Sequence, residues 1–350
     1  MSNDILFEER GKVGLITLNR PKALNAISIE MVRAMTLTLD QWAASETIRA
    51  VIIIGSGGKA FAAGGDIQRL YEFMSARDMS YPIDFFAEEY RLNQKIKRFP
   101  KPYISIYNGI VMGGGVGVSV HGSCRIATDA TILAMPETGI GFFPDVGGTY
   151  FMPRLNGGLG NFMALTGARL DGGDCVTEGL ADYYIKVGEI DSLIYTLADS
   201  DNIEATIKEM SVPPPVGKLT AIRNEIRSCF NHSSIEEVIR SLEKNDTDWA
   251  NSQLNTIRQK SPLSVAVTWE QLRRGATLDF EQCLQLEYRI ALASCQTGEF
   301  REGVRALLID KDNKPQWKHV RVEDVSAEEI QAHFQEPASG DMKFNLNNGI

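Results

Sequence analysis

The chain has 350 residues, 43% apolar and 23% charged, with a formal net charge of −9. A chain of this length can bury a full core in one large domain with a smaller appended region. The acidic balance gives no counterion-release drive toward nucleic acid, and no apolar run approaches the roughly 20 residues that span a bilayer. Met1-Ser2-Asn3-Asp4 offers neither the basic start and apolar stretch of a secretory signal nor the Arg/Ser-rich character of a transit peptide, so a cytoplasmic location is expected. Cys124, Cys175, Cys229, Cys283 and Cys295 are widely spaced with no CxxC, and there are four histidines, which argues for reduced thiols and no structural zinc.

In chain order, Ile5 to Phe7 and Val13 to Leu18 flank Gly11 and read as a hairpin ended by Asn19-Arg20-Pro21. Ser28 can cap a helix to about Ala44, because Ile29, Val32, Met35, Leu39 and Trp42 recur at helical spacing. Val51 to Ile54 is a buried strand by its β-branched run, followed by the glycine-rich loop from Gly55 to Asp66. A helix from Ile83 to Lys97 precedes Pro100, and Tyr103 to Tyr107 is a further strand leading to Asn108-Gly109. Gly113-Gly114-Gly115-Val116-Gly117 opens a short apolar segment to His121. Strands around Cys124 to Ala127 and Thr131 to Ala134 follow, then a loop from Met135 through Gly148. Strand, glycine loop and helix in alternation argue an α/β fold. After about residue 210, with Pro213-Pro214-Pro215 as a junction, the patterns are helical: about 218–230, 234–245, 263–275 and 279–296. The division expected is therefore a core over 1–210, a helical region over 211–334 and a disordered tail over 335–350, which is poor in large apolar residues.

The glycine clusters fail the common phosphate and nucleophile patterns. Gly58-Lys59 continues with Ala60, and no glycine stands five positions before Gly58, so there is no Walker loop. Gly113 and Gly115 begin a dinucleotide fingerprint, but Val118 occupies its last position. Ser119 has Gly117 before it and His121 where a nucleophile elbow needs its second glycine. A nucleotide hydrolase, a Rossmann dehydrogenase and a serine hydrolase are disfavoured. Backbone N–H groups at such loops can instead hold an anion or a developing oxyanion.

Four segments occur together and in order: Asn19 to Ala26, Ala63-Gly64-Gly65-Asp66-Ile67, Asn108-Gly109 with Gly113-Gly114-Gly115, and Pro136-Glu137 with Gly147-Gly148. Over roughly residues 4–200 this set resembles the enoyl-CoA hydratase/isomerase (crotonase) superfamily. The resemblance implies a spiral of ββα units followed by C-terminal helices that cover the active site and often build homo-oligomers. It implies an acyl-CoA thioester as substrate, with coenzyme A part of that substrate and no separate cofactor, metal, nucleic acid or membrane partner. By motif position, the backbone N–H groups of Gly65 and Gly114 would form the oxyanion hole.

The acids and bases, not the fold, choose the reaction. Hydratases of the superfamily usually carry one glutamate two residues after the glycine triplet and another in the Pro-Glu motif. Here the first position is Gly117, and the second is Glu137. Asp145 appears where hydratases usually have glycine. The stretch Met135 to Gly148, with His121-Gly122, Phe300 to Ala306, Leu308 to Asp312 and Trp317, resembles the acyl-CoA thioester hydrolases of the superfamily, and extends the likeness to about Phe334. That resemblance implies hydrolysis of a short-chain 3-hydroxyacyl-CoA, with 3-hydroxyisobutyryl-CoA and valine breakdown as the expected substrate and setting. Enoyl-CoA hydration or isomerisation, and a non-catalytic acyl-CoA-binding subunit, are the alternatives. Glu137 would attack the thioester or activate water, Asp145 would bind the substrate hydroxyl or help deliver water, and Glu89 would line the substrate together with Gly114. Without the family, Glu137 reads as a helix cap and Asp145 as a turn residue after Pro144. His121 and Cys124 read as packed core residues; Arg20 and Lys22 are candidates for the CoA phosphates.

Overall fold

The computed structural model describes residues 3–344. Ten strands form two sheets: β1 (Ile5–Arg10), β2 (Val13–Leu18), β3 (Ala50–Gly55), β4 (Ala60–Ala63), β5 (Tyr103–Tyr107), β6 (Ile110–Met112), β7 (Cys124–Ala127), β8 (Ile132–Ala134), β9 (Leu170–Asp171) and β10 (Tyr183–Tyr184). The six-stranded sheet has the order β1-β2-β3-β5-β7-β10, and the four-stranded sheet β4-β6-β8-β9. Consecutive strands alternate between them: β3 then β4, β5 then β6, β7 then β8. Each turn of the chain thus lays one strand in each sheet, which is the expected spiral. The β1–β2 hairpin is antiparallel, and β2, β3, β5, β7 and β10 run parallel to their neighbours.

The chain divides into two compact units that are discontinuous in sequence. One comprises residues 1–66, 92–134 and 169–221, and the other 67–91, 135–168 and 222–350. The last entry into the second unit, at residue 222, lies near the junction expected at 210, but 67–91 and 135–168 also belong to that unit.

All ten strands lie in the first unit. The β-branched run of β3 and the whole of β5 are buried, as strands inside a parallel sheet with both faces covered should be. Val13, Leu15, Ile52, Ile104, Ile106 and Ile126 pack with Ile190, Leu193 and Leu197 of the helix Ile190–Asp199. Each such buried side chain contributes about 1.5–3 kcal/mol. Ser28 caps the helix Ile29–Ala44 by accepting from the Met31 N–H, and the expected residues Ile29, Val32, Met35, Leu39 and Trp42 form its buried face. The side-chain amide of Asn108 bonds Gly55 in both directions, at 3.1 and 2.6 Å. Asn25 donates to the carbonyls of Ser56 and Ala60. These two amides fix the glycine-rich loop that leads into β4.

The second unit is helical. Its helices include Ile67–Ser75, Leu159–Thr166, Arg223–Phe230, Ile235–Asn245, Asp248–Arg258, Pro262–Gly275, Phe280–Thr297 and Glu299–Val304, and the unit boundary falls inside the helix Ser80–Lys97. The four helices expected beyond residue 210 are present. Asp248–Arg258, with its sparse apolar positions, was not foreseen. Asp279 and Gln282 form a reciprocal capping box at the start of Phe280–Thr297. Of the tail expected to be disordered, residues 335–344 hold fixed contacts. Arg289 binds Asp341 through two nitrogens, Met342 is buried, and Arg91 donates to the Lys343 carbonyl at 3.0 Å. An ion pair and one buried methionine anchor a stretch whose low apolar content argued against packing. Residues 345–350 lie outside the described residues.

Candidate active site

In the first unit, the register of β4 and β6 sets where Gly65 and Gly114 follow their strands. The strands run parallel, with Ala63 opposite Met112. Gly65 follows Ala63 by two residues, and Gly114 follows Met112 by two. Gly64, at φ 92°, reverses the peptide direction: its own N–H donates to Met112 O at 2.8 Å, while its carbonyl accepts from Ile27 N–H at 3.0 Å. A trans peptide sets N–H and C=O on opposite sides. The Gly65 N–H therefore points away from Ile27, whose carbonyl takes the Asp66 N–H instead. Gly114 is the first residue of the short helix Gly114–Gly117, entered through Gly113 at φ 49°. First-turn N–H groups of a helix have no carbonyl of their own. Close approach fixes the next residue: a Cβ on Gly115 would stand 2.2 Å from the Ala62 carbonyl oxygen of β4. Gly117 lies in the same helix and is buried.

In the second unit, Glu89, Glu137, Asp145 and Glu287 form a cluster of buried carboxylates, each at most 6% exposed. Glu89 and Tyr90 come from Ser80–Lys97, Glu137 from the 3-10 turn Glu137–Ile140, Asp145 from the loop beyond it, and Glu287 from Phe280–Thr297. The Tyr90 hydroxyl donates to Asp145 Oδ2 at 2.9 Å. The loop is held on both sides of Asp145. Gln271 Nε2 donates to the Pro144 carbonyl at 2.6 Å, and Glu287 accepts the Gly147 and Thr149 N–H groups, each at 2.8 Å. Phe142, between Glu137 and Asp145 in sequence, stacks on Phe86 and Phe300 at 5.7 and 4.4 Å between ring centroids.

Two oxygens in this cluster, Glu89 Oε1 and Glu137 Oε2, are buried with no hydrogen-bond partner among the described residues. A buried polar atom left unpaired costs about 1–3 kcal/mol, which makes these two oxygens candidates for contact with a ligand. Glu137 is not the cap of its turn: Pro136 holds that position, and no side chain bonds there. Its carboxyl is pushed well above the ordinary 4.5, first by burial and then by Asp145, with Lys260 acting in the opposite sense. Burial raises Glu89 in the same way, with Asp145 and Glu287 adding to it. Burial lifts Asp145 to about 7 against the opposing Tyr90 hydrogen bond. Burial, then the neighbouring Asp145, lifts Glu287 to about 8 against its two backbone donors. A cluster set this way carries protons near neutral pH and can supply both an acid and a base.

The sequence-expected residues thus fall in two groups: Gly65 and Gly114 in one unit, Glu89, Glu137 and Asp145 in the other. Tyr90 and Glu287 were missed. For Glu287 a signal existed: Cys283, Leu284, Ile290 and Ala291, three and four residues to either side, are all buried, so its helix face had to be buried too. Arg20 turns inward, donating to Ala26 O at 2.9 Å and pairing with Asp66 at 3.4 Å. His121 and Cys124 are buried, as expected of packed residues. Among the described residues there is no cluster of His, Cys, Asp or Glu suited to a metal ion, and no helix long and apolar enough to cross a membrane.

Comparison with known proteins completes the picture. The profile of the enoyl-CoA hydratase/isomerase family matches residues 13–334. The chain is 40% identical to human mitochondrial 3-hydroxyisobutyryl-CoA hydrolase, over 98% of this chain and 91% of that protein. It is 42% identical to the zebrafish (Danio rerio) protein of the same name, over 97% and 92%. Among solved structures, a carnitinyl-CoA dehydratase from Mycobacterium thermoresistibile superposes with a TM-score of 0.93 at 38% identity, covering 99% of this chain and all of that one. An enoyl-CoA hydratase from Rhodobacter sphaeroides superposes with a TM-score of 0.90 at 36% identity, over 98% and 100%. These relatives' names agree on CoA esters and differ on the reaction. The chain has the crotonase fold and belongs to the enoyl-CoA hydratase/isomerase family.

Proposed function

We propose that this crotonase-family enzyme hydrolyses a short-chain 3-hydroxyacyl-CoA thioester, with 3-hydroxyisobutyryl-CoA as the substrate, giving 3-hydroxyisobutyrate and free CoA. The observation that carries the reading is the unpartnered Oε2 of Glu137, buried beside Asp145 in a chain with glycine at position 117. Water addition across a double bond in this superfamily normally uses a carboxylate at that position, and glycine supplies none. In this reading Glu137 attacks the thioester carbonyl carbon, the C–S bond breaks, and water then cleaves the resulting anhydride; or Glu137 draws a proton from water, which attacks directly. The departing thiolate takes a proton from the cluster. The oxyanion formed on attack is received by the N–H groups of Gly65 and Gly114, each such donor being worth about 3–4 kcal/mol. Asp145 binds the substrate hydroxyl or helps deliver water, and the open oxygen of Glu89 lines the acyl group. A site built to pair with a hydroxyl rejects the analogue lacking it, because its own buried groups would be left unpaired. Support for the substrate comes from the 40% and 42% identity to relatives named 3-hydroxyisobutyryl-CoA hydrolase, and valine breakdown belongs to the same proposal; those relatives are named mitochondrial, so the expected cytoplasmic location gains no support from them.

Hydration or dehydration is the second reading, favoured by the names of the two solved structures. Free-thiol release from 3-hydroxyisobutyryl-CoA, isobutyryl-CoA and crotonyl-CoA separates the two. Rapid release from the hydroxylated substrate alone supports hydrolysis. No thiol release, with loss of crotonyl-CoA's enoyl absorbance, overturns it.

A further inference from the structure

The segment Gln259-Lys260-Ser261 is fastened to the loop that carries Glu137. Ser261, fully buried, donates its backbone N–H to the Thr138 carbonyl at 3.2 Å, and its hydroxyl donates to Glu299 Oε2 at 2.5 Å. The same hydroxyl accepts from Ser264 N–H and caps the helix Pro262–Gly275. The Gln259 carbonyl accepts from Trp317 Nε1 at 3.4 Å. With its backbone held on both sides, Lys260 reaches over two glycines that leave room for it. A Cβ on Gly139 would stand 3.2 Å from Lys260 Nζ, and one on Gly167 3.7 Å from it. Gly139 lies two residues after Glu137 in the same 3-10 turn.

We infer that Lys260 is a positioning residue for Glu137 that acts through its charge: its ammonium, seated over Gly139 and Gly167, places a positive charge beside the turn that carries Glu137. The surrounding charges agree in sign. Burial and Asp145 both resist ionisation of Glu137, and Lys260 is the neighbour whose charge favours it; reciprocally, burial lowers Lys260 while Glu137 supports its charged form. An opposite charge near a buried carboxylate is a strong lever on its ionisation.

The catalytic part of this inference rests on the hydrolase reading; the electrostatic part does not, and the test separates them. The protonated-carboxyl infrared band of Glu137, identified by its loss in Glu137→Gln, is titrated in the free protein for the wild type and Lys260→Met, beside pH profiles of thiol release from 3-hydroxyisobutyryl-CoA. In Lys260→Met the Glu137 band should persist to higher pH, and the rising limb of kcat/KM should move alkaline by about one unit, an approximately tenfold loss below the limb. Lys260→Arg, which keeps the charge, should restore most of that loss. Should Lys260→Met fail to fold, Gly139→Ala serves instead: it displaces the ammonium while keeping it, and should move the band in the same direction by less. Superimposable titrations in wild type and a folded variant would overturn the inference. A shifted band with no thiol release from any acyl-CoA, wild type included, would sustain the Lys260–Glu137 coupling and remove the hydrolase reading alone.

Discussion

The two units carry chemistry in opposite materials. In the first, the functional groups of the proposed mechanism are main-chain amides, which follow from the register of β4 against β6 and from the positive φ at Gly64. In the second they are ionisable side chains whose charge depends on burial and on one another. An amide needs no proton inventory and is indifferent to pH, but it is moved by any steric intrusion. A buried carboxyl tolerates small displacements, yet changes function with a single neighbouring charge. The first kind of site should fail through geometry, the second through protonation.

The largest effect should come from Glu137→Gln, which removes the nucleophile or base while keeping shape. Turnover should fall by about 10³-fold or more with CoA binding retained, measured by thiol release and calorimetry. Near-normal turnover would take Glu137 out of the chemistry. Gly115→Ala tests the geometric side. Its Cβ would collide with the Ala62 carbonyl, so the adjoining Gly114 N–H must shift. A loss of about 10²–10³ in kcat, equal at every pH, is expected; a loss confined to one limb of the pH profile would contradict the division drawn above.

Tyr90→Phe should act through protonation. The hydroxyl favours ionised Asp145, so its removal raises Asp145 further above about 7. Activity at pH 7 should drop roughly tenfold and recover toward higher pH; an unchanged profile would show that Asp145 does not titrate in turnover. The smallest effect should be that of Glu287→Gln on stability. Because Glu287 is raised in the folded protein from 4.5 to about 8, its contribution is fully present at low pH and is lost as pH rises through about 8. Glutamine does not titrate, and its single carbonyl can satisfy only one of the two N–H donors at a time. The variant should be less stable by about 1–3 kcal/mol at pH 5, with the gap closing toward pH 9 in thermal melts. A gap that widens with pH would reverse the sign assigned to this group.

The same contrast governs what could be read beforehand. Gly65 and Gly114 can be proposed from sequence because main-chain sites leave glycines in a fixed order along the chain, and Glu137 and Asp145 because they share one short loop with Pro136, Pro144 and Gly147-Gly148. The helix-borne residues were harder. Tyr90 looks like any core aromatic, and Glu287 is betrayed only by the buried residues one turn to either side of it. Lys260 leaves no mark in its own neighbourhood, since what defines it is the empty space at Gly139 and Gly167, distant in sequence. The helical stretches past residue 210 follow from periodicity, whereas composition carries no signal of the Arg289–Asp341 ion pair that reaches into residues 335–344.

The interleaving of the two units has a consequence for anyone who would dissect or recombine this protein. The backbone passes between them after residues 66, 91, 134, 168 and 221. Gly65, Glu89, Tyr90 and Glu137 all lie within three residues of such a passage. No single cut yields either unit whole, and a truncation at the proline-rich junction near 210 would keep Glu137 and Asp145 but discard Glu287 and Lys260. Fragment swaps that treat the C-terminal helices as an interchangeable cassette would therefore trade away the groups that set the charge of the residues left behind.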